Sequence, residues 1–474
     1  MIELVVLLTV VIPVMLAFLW PSGLVLAAIL TGTLPLTLGR EGMMVTLFGR
    51  LDLYSIRLLG LWVASLLVLL PHLWQAGSYG LRFRWHLFFL LFAMLALCWA
   101  PSFLYGARMI AKLTAPFLFL LLILVVCSSR RQLKHLEVTM LVSGILVVAI
   151  SLGSVLSGYT TIDSQLGFGM PGLGPAATSA NLAIVSMLAL ALVRTSPRWH
   201  MVLICGILGG ASFIGFTRIT IIGLFIGATV VLWASVRGWS RWALPLIGIA
   251  SVAGLFLLSD IFRGRMFKNG DAVSFDLLMR DPATALEHVH GSGRFDAWSY
   301  VLTTFFKPNP IFGSGVGTTQ HYFYTHTTGL NVIHSEYIRL LAEVGVVGVF
   351  LLIVAASAYM IRLTRAYRLA TTREGKAYSL AALGSLVVYL VFMATDNAID
   401  YVTSSGIFVF ALIAMSEKAR ELEVVASSTL KATASEDVSE TQRSGELGDD
   451  LTAGQRFPIG SSPRKKCLAQ GGFR

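Results

Sequence analysis

The sequence has few charged residues. Only 13% of its 474 residues are Asp, Glu, Lys or Arg, whereas 56% are hydrophobic and the mean hydropathy is +0.76. Soluble globular proteins carry about a quarter charged residues. This composition therefore excludes an ordinary water-soluble fold, because so much apolar surface has to be buried in lipid or in other helices.

Cysteine is also scarce. The four cysteines are Cys98, Cys127, Cys205 and Cys467, and none lies in the longest polar stretch. A disulfide framework and a cysteine-based metal site are therefore excluded as explanations of that stretch. The formal net charge of +11 comes from basic residues in short loops, where they set membrane topology. Nucleic acid is not expected as a partner.

Apolar runs fill almost everything before residue 417, and their lengths approach the thickness of a bilayer. They predict an all-α, polytopic transmembrane helical bundle of about 12–13 spans, the uncertainty arising because the first two runs share Pro21. The runs are 4–20, 22–38, 56–74, 85–101, 110–127, 136–157, 178–193, 201–217, 219–236, 243–259, 338–361, 378–395 and 401–416.

Four regions are predicted. Residues 1–259 hold the N-terminal transmembrane helices, 260–335 form one large extracytoplasmic loop containing short helices, 336–416 hold the C-terminal transmembrane helices, and 417–474 form a disordered cytoplasmic tail. Basic short loops, among them Arg130, Arg131 and Lys134, are predicted to be cytoplasmic, which puts the large loop outside. Long loops are usually functional or disordered, so catalytic or binding residues are expected in this one.

Arg218 stands between two apolar runs in Gly215-Phe216-Thr217-Arg218-Ile219-Thr220. A cation at the membrane interface is expensive unless it is paired or functional. The structural alternative is an arginine that extends from a helix end to water.

Arg294 begins a pattern, with Phe295, Trp298, Leu302 and Phe305, that predicts an amphipathic helix of about a dozen residues on the membrane surface. Ser292 is a candidate N-cap. The free N–H groups at the N-terminus of a helix already favour anions. An arginine in the first turn adds a guanidinium group that can bind two phosphate oxygens. The alternative is an ion pair with Asp296.

His334 lies where the chain returns to the membrane. A neutral imidazole there can accept a proton from a hydroxyl, although a structural interfacial histidine is the alternative. Arg339 and Glu343, four apart on the next helix, can pair with each other. His288 and His290 are too far from acids and cysteines to predict a metal site.

The glycines of Pro310-Ile311-Phe312-Gly313-Ser314-Gly315-Val316-Gly317 indicate a tight turn with close backbone approach, since no βαβ unit surrounds them. Asp396, Asn397 and Asp400 lie in a short outer loop, where they line the same cavity or form a solvated turn.

Four patterns in this order resemble the O-antigen ligase/polymerase family of bacterial envelope glycosyltransferases. They are Thr217-Arg218 at an outer turn, Gly293-Arg294 with Trp298, the glycine stretch from Pro310, and His334 through Gly348. Ser335 departs from the family by standing where Asn is common, and Ile219-Thr220 follows Arg218 where a small residue is usual.

The resemblance implies that Arg218, Arg294 and His334 are catalytic. Arg218 and Arg294 would bind the pyrophosphate of a polyprenyl-linked glycan donor, and His334 would activate the acceptor hydroxyl. It implies no metal and no cofactor. The expected partners are the donor, a glycan or lipid A-core acceptor, and membrane lipids. The expected location is the bacterial inner membrane with the large loop in the periplasm. Polymerase and ligase remain equal alternatives.

Two other classes of function stay open. A multi-span solute transporter would use intramembrane charges such as Arg339 and Glu343 to line a path. A non-catalytic polysaccharide export factor would tolerate Arg218→Lys, whereas bidentate phosphate binding would suffer from it.

Overall fold

The computed structural model describes residues 2–33, 44–45, 51–157, 175–214, 217–236, 294–326 and 333–449, and the isolated positions 238, 243, 246, 247, 250, 254 and 280. These residues are almost entirely helical. The exceptions with regular structure are two short antiparallel strands, β1 (Met44–Val45) and β2 (Leu51–Asp52).

The helices of the N-terminal half follow the apolar runs. They are α1 (Ile2–Leu19), α2 (Pro21–Gly32), α3 (Leu53–Leu69), α4 (Leu73–Arg82), α5 (Arg84–Leu95), α6 (Phe103–Val126), α7 (Arg130–Leu156), α8 (Pro175–Thr195), α9 (Trp199–Ile214) and α10 (Arg218–Ser235). The later helices are α11 (Arg294–Val301), α12 (Thr318–Thr325), α13 (Glu336–Leu369), α14 (Arg373–Phe392) and α15 (Ile407–Asp449). Short 3-10 turns (Leu70–His72, Ala96–Trp99) and π-helical turns (Leu302–Phe306, Val402–Gly406) extend some of them.

The predicted all-α, polytopic membrane fold is confirmed. Within the described residues, eight helices are long and apolar enough to cross a membrane, and three more apolar helices are shorter. This count is below the 12–13 predicted spans because runs such as 22–38 and 201–217 form helices of only 12 and 16 residues. The predicted span 243–259 lies almost wholly outside the described residues.

The centre of the bundle is built on α14, which packs against α8 and α10. Glycines allow the close approach: a Cβ added to Gly384 would lie 2.5 Å from Val231, and one added to Gly227 would lie 2.6 Å from Val388. Small residues at helix contacts are typical of membrane proteins, where packing rather than water exclusion drives association. The 407–419 part of α15 is almost fully buried beside them.

The helix at 294–306 differs from expectation in its surroundings. Its length agrees, since α11 continues into the π-turn Leu302–Phe306. However, Val301 and Phe305 pack with Phe323, Ile333 and Ala342, and not only against a membrane surface. Periodicity identifies an apolar face, but it does not reveal whether lipid or protein covers that face. Ser292, its proposed N-cap, lies outside the described residues.

The chain after Glu417 also differs from expectation. The compact unit Met1–Glu423 includes buried Glu417, which forms an ion pair with Arg362. Glu423 accepts from the backbone N–H groups of Thr371 and Thr372. In the second unit, Val424–Arg474, helix extends to Asp449. The polar composition predicted disorder because it gave no sign of these specific partners.

Candidate functional site

The segment 394–401, between α14 and the π-turn that precedes α15, meets the two predicted site residues of the large loop. Arg294 opens α11, and its Nη1 donates to the carbonyl oxygen of Thr395 at 3.0 Å. This contact replaces the predicted alternative of a pair with Asp296. The buried Nε of Arg294 has no hydrogen-bond partner among the described residues. Nη1 of the guanidinium group is therefore held by the Thr395 carbonyl oxygen, whereas Nε is available to a ligand.

His334 lies beside the same segment. Its Nδ1 is 3.9 Å from Oδ1 of Asp396, and its side chain is 41% exposed whereas that of Asp396 is 6% exposed. His334 is also the one non-glycine residue with positive φ, 52°, among the described positions. Histidine tolerates this left-handed conformation better than most residues. The imidazole can thus face solvent on one side and a buried carboxylate on the other.

Asp396 and Asn397 do not form a solvated turn, because both are buried. Oδ1 of Asp396 accepts from the backbone N–H of Asn397 at 2.8 Å and lies 3.5 Å from the Tyr401 hydroxyl. Burial and the nearby Asp396 raise the pKa of Tyr401. The tyrosine is therefore a neutral donor toward the carboxylate that faces His334.

Arg218, the third predicted residue, begins α10, which runs antiparallel to α14. A Cβ on Gly227 would lie 3.0 Å from the carbonyl oxygen of Gly384, and one on Gly223 would lie 3.6 Å from Val391. Arg218 is five residues before Gly223, about 7.5 Å along the axis at the rise of an α-helix. This register puts Arg218 at the end of α14 from which segment 394–401 departs. The structure thus brings Arg294 and His334 to one segment, and Arg218 to the same end of the bundle.

Unpartnered polar atoms accompany all three positions. Within the described residues, the buried Oγ1 atoms of Thr217 and Thr220 beside Arg218 have no hydrogen-bond partner, and the same holds for Nε of Arg294 and Nδ1 of His334. Buried polar atoms are normally hydrogen-bonded, so such exceptions need an explanation. A polar ligand is one such explanation.

A buried ionic network, which the sequence did not reveal, holds the other end of segment 394–401. Asp400 accepts from Lys112 at 2.7 Å and from Arg339 at 3.1 Å, and Arg339 also lies 2.5 Å from Glu336. Oε1 of Glu336 accepts from the backbone N–H of Ile399 at 2.9 Å. Burial alone would raise the pKa of Asp400, but Arg339 and Lys112 outweigh it and hold that pKa below its usual range. The network ties α6 and α13 to the segment that meets Arg294 and His334.

The predicted pairing of Arg339 with Glu343 is replaced by other partners. The Glu343 carboxylate accepts from the backbone N–H of Gly317 at 2.9 Å and from the Thr319 hydroxyl at 2.5 Å. Arg339 binds Glu336 and Asp400 instead. Spacing along one helix predicted a local pair, whereas the tertiary fold offers each charge a partner from another element.

The glycine stretch makes the close backbone approach that its composition predicts. Gly313, Gly315 and Gly317 all have positive φ. A Cβ on Gly315 would lie 2.5 Å from Cα of Ala100. A Cβ on Gly345, where α13 is kinked with φ 65° and ψ −170°, would lie 2.3 Å from the Ile311 carbonyl oxygen. The glycines therefore lock this loop against α13 and the start of α6.

No group of three or more His, Cys, Asp or Glu within the described part of the chain is arranged to hold a metal ion. His288 and His290 lie outside the described residues.

Fold and site together define a multi-pass α-helical membrane protein with a cluster of arginine, histidine and buried acid at one end of its bundle. The family model described as O-Antigen ligase matches residues 203–353, which include Arg218, Arg294 and His334. This match confirms the resemblance to the O-antigen ligase/polymerase family and supports a function of that type, which is glycosyltransferase-like. No curated protein matches the chain.

Proposed function

We propose that this chain is an integral membrane glycosyltransferase that moves a saccharide from polyprenyl pyrophosphate to an outward-facing acceptor. The acceptor is either a second lipid-linked glycan or lipid A-core. The observation that carries the proposal is the meeting of Arg294 and His334 at Thr395 and Asp396. The family match over residues 203–353 supports the same activity.

Arg294 and Arg218 bind the pyrophosphate of the donor in this proposal. Contact with the Thr395 carbonyl holds Arg294 in position, and its remaining N–H groups suit phosphate oxygens. A glycosyl pyrophosphate is already activated, so the main requirement is to stabilise negative charge on the leaving group and to position the acceptor. Two fixed guanidinium groups meet this requirement without a metal or another cofactor.

His334 is the proposed general base. It removes the proton from the acceptor hydroxyl while the acceptor oxygen bonds to the anomeric carbon and the bond from that carbon to the pyrophosphate oxygen breaks. The pyrophosphate leaves with the electron pair of the broken bond, and a single displacement inverts the anomeric centre. The Asp396 carboxyl group, whose Oδ1 lies 3.9 Å from Nδ1, faces the imidazole that receives this proton.

The proposed location is the bacterial inner membrane with the site on the periplasmic side. The basic loops at the opposite end of the bundle support this orientation through the positive-inside rule. Residues 260–335 would then be periplasmic, although most of that loop lies outside the described residues.

The test is a transfer assay with purified protein. The wild type is incubated with a polyprenyl-pyrophosphate saccharide and acceptor, and released polyprenyl pyrophosphate is measured with and without a chelator. We expect release in both conditions, and a loss of about a hundredfold or more in His334→Ala, as is typical when a general base is removed. Arg294→Ala should also lose release.

The matched controls are His135→Ala and Arg368→Ala, which change exposed residues on α7 and α13. Both should keep wild-type release. Wild-type protein that releases no polyprenyl pyrophosphate, or His334→Ala and Arg294→Ala variants that release it at the control rate, would contradict the proposal. A solute transporter or a non-catalytic export factor would give the first of these results.

A further inference from the structure

A cavity lined by several charged side chains lies at the opposite end of α14 from the candidate site. It has a volume of about 290 Å³ and is lined by Arg130, Arg131, Leu133, Lys134, Thr372, Glu374, Tyr378 and Ala419. A single water molecule needs only about 10–15 Å³ of such volume. The 20-residue α14 separates this cavity from segment 394–401 by about 30 Å at the rise of an α-helix. The cavity is therefore no part of the site described above.

The charges around this cavity are unbalanced. Three cations and one carboxylate, that of Glu374, line it. Lys134 forms an ion pair with buried Glu137, in which Nζ lies 2.6 Å from Oε1. The Glu137 carboxylate also accepts a hydrogen bond from the Tyr378 hydroxyl at 2.9 Å. Within the described residues, Arg130 and Arg131 have no carboxylate partner. In the described part of the chain, two guanidinium groups thus line the cavity without a carboxylate partner, and Glu374 is the one carboxylate beside them.

The backbone around the cavity adds to its positive potential. Both α7 and α14 begin here, with Ser129 and Thr372 as N-caps. The Glu423 carboxylate supplies a negative charge at the N-terminus of α14, because it accepts hydrogen bonds from the backbone N–H groups of Thr371 and Thr372. The start of α7, next to Arg130 and Arg131, has no acid in its first turn. Ser129 and Gln132 cap the N–H groups of this turn with neutral side chains, so its positive charge is not neutralised and the two guanidinium groups supply most of it.

We propose that this cavity binds a phosphate group, with Arg130 and Arg131 as its ligands. A planar guanidinium group can donate two parallel hydrogen bonds to phosphate oxygens, whereas the ammonium group of a lysine cannot. The phosphate can come from the headgroup of an anionic membrane lipid or from a soluble phosphate. Basic pockets between transmembrane helices on the cytoplasmic side are known to suit anionic lipid headgroups, and this end of the bundle is the predicted cytoplasmic end.

The experiment uses the full chain in a neutral detergent. The unfolding midpoint is followed while phosphatidylglycerol, phosphatidylcholine or inorganic phosphate is added at constant ionic strength, and apparent Kd values are obtained for the wild type and for Arg130→Gln/Arg131→Gln. We expect phosphatidylglycerol, inorganic phosphate or both to raise the midpoint, and phosphatidylcholine to have little effect. The double variant should weaken that binding at least about tenfold, because it removes two charge-assisted donors.

The matched control is Arg365→Gln/Arg368→Gln, which removes two exposed arginines from α13 at the same end of the bundle but outside the cavity. It should bind like the wild type. Binding of the lipid alone identifies a headgroup site, and binding of inorganic phosphate alone identifies a soluble ligand. The proposal is overturned if neither binds, or if the control pair weakens binding as much as Arg130→Gln/Arg131→Gln. The single variants Arg130→Gln and Arg131→Gln test the same point should the double variant fail to fold.

Discussion

Replacing Asp400 with Asn should destabilise the bundle by breaking the ionic network that holds segment 394–401. Asp400 contacts both Lys112 and Arg339, at 2.7 and 3.1 Å. Breaking a buried ion pair costs about 3–5 kcal/mol. We expect the lower end, about 3 kcal/mol, since Arg339 keeps Glu336 and the Asp400 side chain is 25% exposed.

This cost can be converted into a change in melting temperature. With an unfolding entropy of about 2.1 cal/mol/K per residue, the 423-residue unit gives roughly 0.9 kcal/mol/K, and the midpoint falls by roughly 3 °C. The assay is thermal unfolding of the purified protein in detergent. Lys307→Met, which changes an exposed lysine, is the control and should shift stability by less than about 0.5 kcal/mol.

A double-mutant cycle tests whether the contact itself is responsible. Lys112→Met should also destabilise the protein, but the double variant with Asp400→Asn should lose less than the sum, by about 0.5–3 kcal/mol of coupling. Strict additivity would refute the reasoning, because it would mean that the 2.7 Å contact contributes nothing specific.

The stability difference between the wild type and Asp400→Asn should depend on pH, because the pKa of Asp400 is lowered in the folded protein. A carboxyl group with a lowered folded-state pKa contributes stability above its unfolded pKa of about 3.9, and that stability is lost as pH falls through the folded pKa. The gap in midpoint between the wild type and Asp400→Asn should therefore shrink as the pH falls below about 4. A gap that stays unchanged down to the onset of acid unfolding would contradict this interpretation.

Three further outcomes are expected. Gly315→Ala should cost about 1–3 kcal/mol for its positive φ alone, and more through contact with Ala100, whereas Gly209→Ala, which meets no neighbour within 4 Å, should not destabilise the protein in the same unfolding assay. His334→Asn should keep the wild-type unfolding midpoint, because Asn tolerates the left-handed backbone, yet should lose transfer, and retained transfer would rule out the general base. Glu343→Gln replaces one of two accepting oxygens with a donor and should lower stability by about 1–3 kcal/mol, and an unchanged midpoint would show that these bonds contribute little.

The helices were the most predictable part of this molecule. Twelve of the thirteen apolar runs coincide with a described helix, and the remaining run, 243–259, lies almost wholly outside the described residues. Apolar length is a local property, so it can be seen in the sequence. The glycine stretch was equally clear, because positive φ and close backbone contact both restrict the choice of residue.

The contacts that build the site were predictable only in part. Arg294 and His334 could be selected from local chemistry and family resemblance, but their meeting at Thr395 and Asp396 depends on how α14 ends. The network around Asp400 was not visible, since Lys112 is 288 positions away along the chain. Local spacing therefore identifies candidate site residues, whereas the tertiary fold determines which groups they contact.

The most direct test of a shared pyrophosphate site is the binding of polyprenyl pyrophosphate, the expected product, to purified protein in detergent. Arg218→Ala and Arg294→Ala should each weaken binding at least about tenfold, as the loss of a charge-assisted contact predicts. His334→Ala should bind the product like the wild type although it no longer transfers the saccharide. Wild-type affinity in either arginine variant would contradict the central claim that both guanidinium groups bind one pyrophosphate.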